Sequence, residues 1–109
     1  MKRVNIGLIG FGTIGAGVVR VLQGRHSYLK EKTGLDIRIK WICDKDLETK
    51  RPVKVSKKTL TKSIGKVLYD PDVNIVVELM GGVNPAEDVI MEALRQGKHV
   101  VTANKAVLS

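Results

Sequence analysis

The sequence is poor in cysteine and in aromatic residues, and it has no long apolar segment. Cys43 is the single cysteine, so an internal disulfide is excluded and a reducing, cytoplasmic setting is expected. No apolar run approaches the roughly 20 residues that a membrane-spanning helix needs, so no membrane partner is expected. Aromatic residues make up only 4% of the chain, which favours a core of Val, Ile and Leu in a sheet buried on both faces.

Acidic residues are outnumbered, 11 against 19 basic ones, and the formal net charge is +8. Nucleic-acid binding is one interpretation, but the basic stretch has almost no aromatic side chain on which a base could stack. We therefore expect a solvated face and no nucleic-acid partner, with some of this charge available to the phosphates of a cofactor. Much of the excess charge comes from Lys45, Lys50, Arg51, Lys54, Lys57, Lys58, Lys62 and Lys66.

Apolar runs rich in β-branched residues alternate with stretches of helical periodicity along the chain. The predicted strands end at residues 9, 44, 80 and 103, and the first helix is predicted over residues 13–30 with a disturbance near Gly24. Residues 45–61 are predicted as a loop, in which only 52–55 would fit a brief strand, and a short helix is predicted near 63–68. Asn84 is expected to cap a further helix that has Pro85 at its first position. This pattern predicts one α/β domain over residues 1–109, a Rossmann-type doubly wound parallel sheet with helices on both faces.

The first predicted strand runs into Gly10-Phe11-Gly12-Thr13-Ile14-Gly15 and then into a helix. This spacing is typical of a turn that holds a dinucleotide pyrophosphate at a helix N-terminus. Gly10 would let the chain turn sharply, Gly12 would let phosphates approach the backbone, and Gly15 would let the helix pack closely. The pattern therefore predicts a dinucleotide cofactor as ligand, NAD or NADP.

Other chemistry-bearing residues also fall at the carboxyl ends of predicted strands, where ligands bind in open parallel sheets. Asp44 is a candidate for binding the adenosine ribose, which would favour NAD, whereas Lys45 and the later lysines favour NADP. Gly81-Gly82 and the segment Thr102-Ala103-Asn104-Lys105 close the last two strands. The Lys105 ammonium could reach the nicotinamide end of the cofactor or a substrate oxygen. No cluster with metal-ligand spacing is present, and neither His26 nor His99 is assigned a catalytic role.

Three segments together closely resemble the nucleotide-binding domain of homoserine dehydrogenases. They are residues 10–15 (GFGTIG), 70–82 (DPDVNIVVELMGG) and 101–106 (VTANKA), and the resemblance covers nearly the whole chain. It implies reversible hydride transfer between L-homoserine and L-aspartate 4-semialdehyde with NAD or NADP, in the pathway to threonine and methionine. It also implies that Phe11, Thr13 and Ile14 contact the pyrophosphate, that Gly81, Thr102 and Ala103 line the nicotinamide half, and that Lys105 is catalytic and binds the cofactor.

Two departures from the family pattern limit what the resemblance implies. Many relatives have an arginine where this chain has Cys43, which puts a preference for NADP in doubt. The family also places its substrate-binding residues and its oligomer interface in a following domain. We therefore expect a fragment that binds a dinucleotide but is inactive alone, from an enzyme that is a homo-oligomer when complete. The alternatives are another amino-acid-linked reductase and a non-catalytic dinucleotide sensor.

Overall fold

The glycine-containing turn joins the central strand of a parallel sheet to the first helix. A computed structural model describes residues 2–81 and 85–103, and in these ranges the sheet has the strand order β3-β2-β1-β4-β5, parallel throughout. The strands are β1 (Lys2–Ile9), β2 (Leu35–Cys43), β3 (Leu60–Thr61), β4 (Ile75–Glu78) and β5 (His99–Thr102). The helices are α1 (Thr13–Gly24), α2 (His26–Thr33), α3 (Ile64–Leu68) and α4 (Ala86–Arg95), and a 3-10 turn spans Lys57–Thr59.

Neighbouring residues of the central strands point to opposite faces of the sheet, and both faces are covered. Leu8 packs with Val19 of α1 in a first core cluster, whereas Ile9 packs with Val67 of α3 and Val89 of α4 in a second. This burial of both faces explains the continuous apolar runs at residues 6–9 of β1 and 75–77 of β4. The predicted fold, a doubly wound parallel sheet with helices on both faces, is confirmed.

Several element boundaries differ from the sequence predictions. The first helix is two helices, because Arg25 leaves the helical conformation (φ −108°, ψ 11°) directly after Gly24. Residues 52–55 form no strand, as expected for a loop in which Pro52 lacks the N–H that a ladder needs. The predicted loop over residues 45–61 is wrong at its end, because the chain there forms the 3-10 turn and β3, which pairs with β2 at Ile42–Leu60 and Cys43–Thr61. Asn84 lies outside the described residues.

Pro85 and Ser63 each stand directly before a helix, and of the two only Ser63 caps its helix with a side chain. Pro85 stands one residue before α4 instead of at its first position, and its carbonyl accepts from the Val89 N–H at 3.0 Å. The Ser63 hydroxyl caps α3 by accepting from the Lys66 N–H at 3.3 Å.

None of the helices in the described ranges is long and apolar enough to cross a membrane.

Candidate functional site

Gly10 and Gly15 are packed too tightly to carry side chains. Gly10 has φ +107°, and a Cβ there would lie 2.8 Å from the Leu79 carbonyl carbon. A Cβ on Gly15 would overlap the Gly10 carbonyl oxygen. The Gly10 N–H also donates to the Cys43 carbonyl at 2.8 Å, so the turn is tied to β2. The tight turn and the close approach of the helix predicted for these two glycines are both confirmed.

Gly12, by contrast, faces open space at the start of α1. A Cβ there would meet no heavy atom of the described chain within 4 Å, and no side chain of the described residues caps the helix. The first N–H groups of a helix have no intrahelical partner, and the helix dipole makes this end attractive to anions. Thr13 and Ile14 are exposed there, Ile14 by 64%. The geometry is that of an anion-binding helix N-terminus.

Asp44 lies beside this turn at the end of β2 and organises the backbone around it. Its Oδ2 accepts from the Phe11 N–H at 2.6 Å, and its Oδ1 accepts from the Asp46 N–H at 2.8 Å. Each carboxylate oxygen has further lone-pair capacity, so a ribose hydroxyl could still be bound. Phe11 itself is buried, with its N–H already donated and its ring in the core.

Arg51 connects the loop after β2 to the glycine turn, a role that the sequence analysis missed. Its Nε donates to the Phe11 carbonyl and its Nη1 to the Thr49 carbonyl, each at 2.8 Å, while its Nη2 donates to the Asp46 carbonyl. The guanidinium also lies 4.6 Å from the centre of the Phe11 ring, within cation–π range. No sequence signal distinguishes Arg51 from the other cations of the basic stretch.

The same loop is closed by a second set of bonds around Asp46. The Thr49 hydroxyl and the N–H groups of Thr49 and Glu48 all donate to this carboxylate. These bonds stabilise the ionised form, with the Thr49 hydroxyl contributing most, and lower the pKa of Asp46 to about 2. The loop is therefore anchored at both Asp46 and Arg51.

Glu78 organises the ends of β4 and β5 and was also missed as a functional residue. Its side chain is fully buried, with Oε1 accepting from the Thr102 hydroxyl at 2.6 Å and Oε2 from the Met80 N–H at 2.7 Å. An acid within an apolar, β-branched run is itself a sequence signal, because a buried carboxylate needs specific partners. That signal could have identified Glu78.

Two cavities flank the glycine turn, and both include Gly12 and Asp44. One of about 370 Å³ lies between the ends of β1, β2 and β4 and is lined in part by Gly10, Lys45 and Gly81. The other, of about 630 Å³, lies between α1 and the loop after β2. Basic residues border both: Lys45 and Lys62 line the first, and Arg20, Lys50 and Arg51 line the second. Their positive charge favours an anionic ligand.

The sequence-predicted residues converge on this edge of the sheet. The smaller cavity is lined by Gly10, Gly12, Asp44, Lys45 and Gly81, and the larger one by Phe11 and Thr13 among others. Ile14 and Gly15 follow in the first turn of α1, and Thr102 and Ala103 lie at the end of β5. Lys105 lies outside the described residues. His99 begins β5 at the opposite edge, and His26 is hydrogen-bonded to Asp36. No group of three or more potential metal ligands occurs in the described part of the chain.

Comparison with known proteins agrees with this geometry. A family model described as "Homoserine dehydrogenase, NAD binding domain" matches residues 10–109. Homoserine dehydrogenase from Bacillus subtilis (strain 168) is 43% identical over 109 residues, which are 100% of this chain and 25% of that protein. The chain thus spans about a quarter of the relatives that it matches.

Solved structures give the same result. A crystal structure of S. aureus homoserine dehydrogenase superposes with a TM-score of 0.89 at 40% identity, covering 97% of this chain and 27% of that one. A hyperthermophilic archaeal homoserine dehydrogenase mutant in complex with NADPH shares the fold, with a TM-score of 0.74 at 21% identity over 97% of this chain and 37% of that one.

Proposed function

The chain belongs to the homoserine dehydrogenase family, within its NAD-binding domain, and from this premise we propose the reaction that it serves. The chain holds NAD or NADP for reversible hydride transfer between L-homoserine and L-aspartate 4-semialdehyde. The substrate is bound with the help of a further domain of the complete enzyme, which is a cytoplasmic homo-oligomer. The described domain alone binds the cofactor without turning over the substrate.

The open start of α1 is the observation that carries this proposal. Gly12 leaves free space beside the first N–H groups of α1, which have no intrahelical partner, and the turn follows β1 next to the end of β4, where the strand order reverses. The N–H groups of the exposed residues Thr13 and Ile14 suit a pyrophosphate, which needs donors and positive potential. Phe11 supports this contact indirectly. Its N–H is donated to Asp44, and this hydrogen bond fixes the turn.

The remaining residues of the site contact different parts of the dinucleotide. Asp44 accepts hydrogen bonds from the adenosine ribose, with Lys45 at the rim of the same cavity. Gly81, Thr102 and Ala103 contact the nicotinamide half at the ends of β4 and β5. When bound, the nicotinamide supplies hydride donation and acceptance, and the protein supplies its orientation.

Calorimetric titration with NADH and with NADPH tests the cofactor role. We expect saturable binding of at least one of them and a matching rise in melting temperature. Thr13→Asp separates loss of cofactor binding from loss of folding. A carboxylate in the first turn stabilises a helix by about 0.3–1 kcal/mol, yet it would repel the pyrophosphate. The variant should therefore fold as well as the wild type and lose binding, whereas absence of binding by the wild type would contradict the proposal.

Lys105 is proposed as the catalytic residue because it matches the family lysine beside cofactor and substrate. In the complete enzyme, Lys105→Ala should lower kcat by at least about a hundredfold while changing cofactor affinity little. Steady-state assays with homoserine measure both quantities. Normal turnover by the variant would contradict a catalytic role of Lys105. If the complete wild-type enzyme has no activity with homoserine, the protein would instead be another amino-acid-linked reductase or a dinucleotide sensor.

A further inference from the structure

We propose that Glu78 is a positioning residue that fixes the orientation of the nicotinamide half of the dinucleotide, an inference that rests on the proposed function. Glu78 acts through Met80 and Thr102 and does not itself touch the ligand. It sets the place of the two backbone segments against which the nicotinamide would lie, residues 80–81 and 102–103. The adenosine half is held by other groups, so the influence of Glu78 is confined to one end of the ligand.

One side chain ties together the ends of two strands. Glu78 is paired in register with Thr102, and its Oε1 accepts from that hydroxyl at 2.6 Å. Its Oε2 turns the chain after β4 by accepting from the Met80 N–H at 2.7 Å, and its backbone carbonyl accepts from the Ala103 N–H at 3.4 Å. Both segments therefore depend on the same residue for their position.

Stability alone does not explain a carboxylate at this position. Glu78 is fully buried, and within residues 2–81 and 85–103 it forms no ion pair with a Lys or Arg. Moving a carboxylate out of water is costly when, as in these ranges, it has hydrogen bonds but no cationic partner, and apolar side chains of similar volume are often as stable or more stable in such places. The compensating benefit is a defined geometry, because the two oxygens accept from two fixed directions.

The glycine turn and the adenosine side are held independently of Glu78. Leu79 donates its N–H to the Ile9 carbonyl at 2.8 Å, and Gly10 donates to Cys43. Arg51 and Asp44 hold the opposite flank through Phe11. Loss of the Glu78 carboxylate should thus loosen the nicotinamide end and leave the pyrophosphate and adenosine contacts in place.

The test compares a whole dinucleotide with the same molecule lacking its nicotinamide. Kd values for NADH and ADP-ribose, or for NADPH and ADP-ribose 2′-phosphate if the chain prefers NADPH, are measured on the 109-residue chain. In Glu78→Met, which keeps the length of the side chain, the Kd of the dinucleotide should rise about tenfold, as expected for loss of buried hydrogen-bonded anchors. The Kd of the ADP-ribose should change less than about twofold, because its contacts do not depend on the carboxylate.

Glu78→Gln is the rescue variant. Its amide oxygen can accept from the Met80 N–H, and the Thr102 hydroxyl can rotate to accept from its NH₂ group, so both affinities should stay close to wild type. Val73→Ala is the matched control for general destabilisation, since Val73 is buried before β4 at the opposite edge of the sheet. If Glu78→Met does not fold, Thr102→Val removes one of the two donors, and a smaller loss confined to the dinucleotide is expected.

The possible results separate the two proposals. If the wild type binds neither ligand, the proposed function fails. If the wild type binds both but Glu78→Met weakens both equally or neither, Glu78 has no positioning role and the proposed function stands. Equal affinity of the wild type for the dinucleotide and its ADP-ribose would also overturn the inference, because the nicotinamide would then have no contact to be positioned.

Discussion

The two flanks of the glycine turn are held in place by opposite physical means. The β2 flank, residues 44–51, is a polar loop in which Arg51 and the carboxylates of Asp44 and Asp46 bond to backbone groups near the surface. The β4–β5 flank, residues 78–81 and 102–103, depends on one carboxylate that is fully buried. Both flanks meet the glycine turn, through Cys43 on one side and Leu79 on the other.

This difference suggests that one flank determines how tightly the dinucleotide binds and the other determines how its nicotinamide is oriented. Charges near the surface attract an anionic ligand from a distance but are screened by salt, so the β2 flank should govern how tightly the phosphates and adenosine bind. Buried hydrogen bonds are screened little and tolerate little displacement, so the β4–β5 flank should govern where the nicotinamide lies. Such a division suits a hydride transfer, which depends on placement of the reacting atoms more than on overall affinity.

The largest effect is expected from the turn that joins the two flanks. Gly15→Ala would force its Cβ against the Gly10 carbonyl oxygen, so the free energy of unfolding should fall by about 2–4 kcal/mol and NADH binding should be lost. Gly12→Ala, with open space around it, should change stability by less than about 1 kcal/mol. Its Cβ would nevertheless occupy the proposed phosphate position and weaken NADH. Urea unfolding and calorimetry measure the two effects, and unchanged NADH binding by Gly12→Ala would place the phosphates elsewhere.

These glycine roles could be predicted from sequence because they follow from local backbone geometry. The same holds for most strands and for the parallel topology, which long β-branched runs and alternating helices determine. β3 could not be predicted, since its two residues carry no periodicity and are defined only by their pairing with β2. Arg51 was missed because its partners lie up to 40 positions away in the sequence. Glu78 could be predicted in part. Its burial follows from the apolar run around it, but its pairing with Thr102, 24 positions away, does not.

The contrast between the flanks predicts that substitutions of Arg51 and of Glu78 weaken the binding of different ligands. Arg51→Met removes three bonds to backbone carbonyls, so we expect NADH and ADP-ribose to weaken together, each by about five- to tenfold. Lys50→Met is the matched control, since it removes the same charge from an exposed neighbouring side chain. A loss confined to NADH would contradict the assignment of Arg51 to the adenosine flank. An equal loss in Lys50→Met would show that charge alone matters.

Within the β2 flank, Asp44 should influence which dinucleotide is bound. Asp44→Asn removes the charge that would repel a 2′-phosphate and weakens acceptance from ribose hydroxyls. The ratio of NADH to NADPH affinity should therefore fall by about three- to tenfold. Asp46→Asn is the control, because it removes a neighbouring charge whose oxygens are occupied by Thr49 and Glu48. Equal losses of NADH and NADPH in Asp44→Asn would exclude a ribose contact.

The smallest effect of a substitution is expected on the reactivity of Cys43, the last residue of β2. The thiol is buried next to Asp44, and burial, with a further contribution from the Asp44 charge, raises the pKa of Cys43 to about 11. Because a raised pKa lowers the thiolate fraction at neutral pH, iodoacetamide should modify Cys43 at pH 7.5 at least about a hundredfold more slowly than it modifies glutathione. Fast alkylation would show that the thiol is neither buried nor suppressed.

The same alkylation rate distinguishes the two flanks without any ligand. The Cys43 side chain packs in the same core cluster as Met80, whose N–H is held by Glu78, and both residues line the smaller cavity. Arg51 instead contacts Phe11, which belongs to the other cluster. Glu78→Met should therefore speed the reaction several-fold, and Arg51→Met should change it little. Saturating ADP-ribose should slow it in the wild type, since the ligand would lie over Asp44. An equal acceleration in both variants would mean that the flanks open as one unit, and affinity and orientation could then not be assigned to separate sides of the turn.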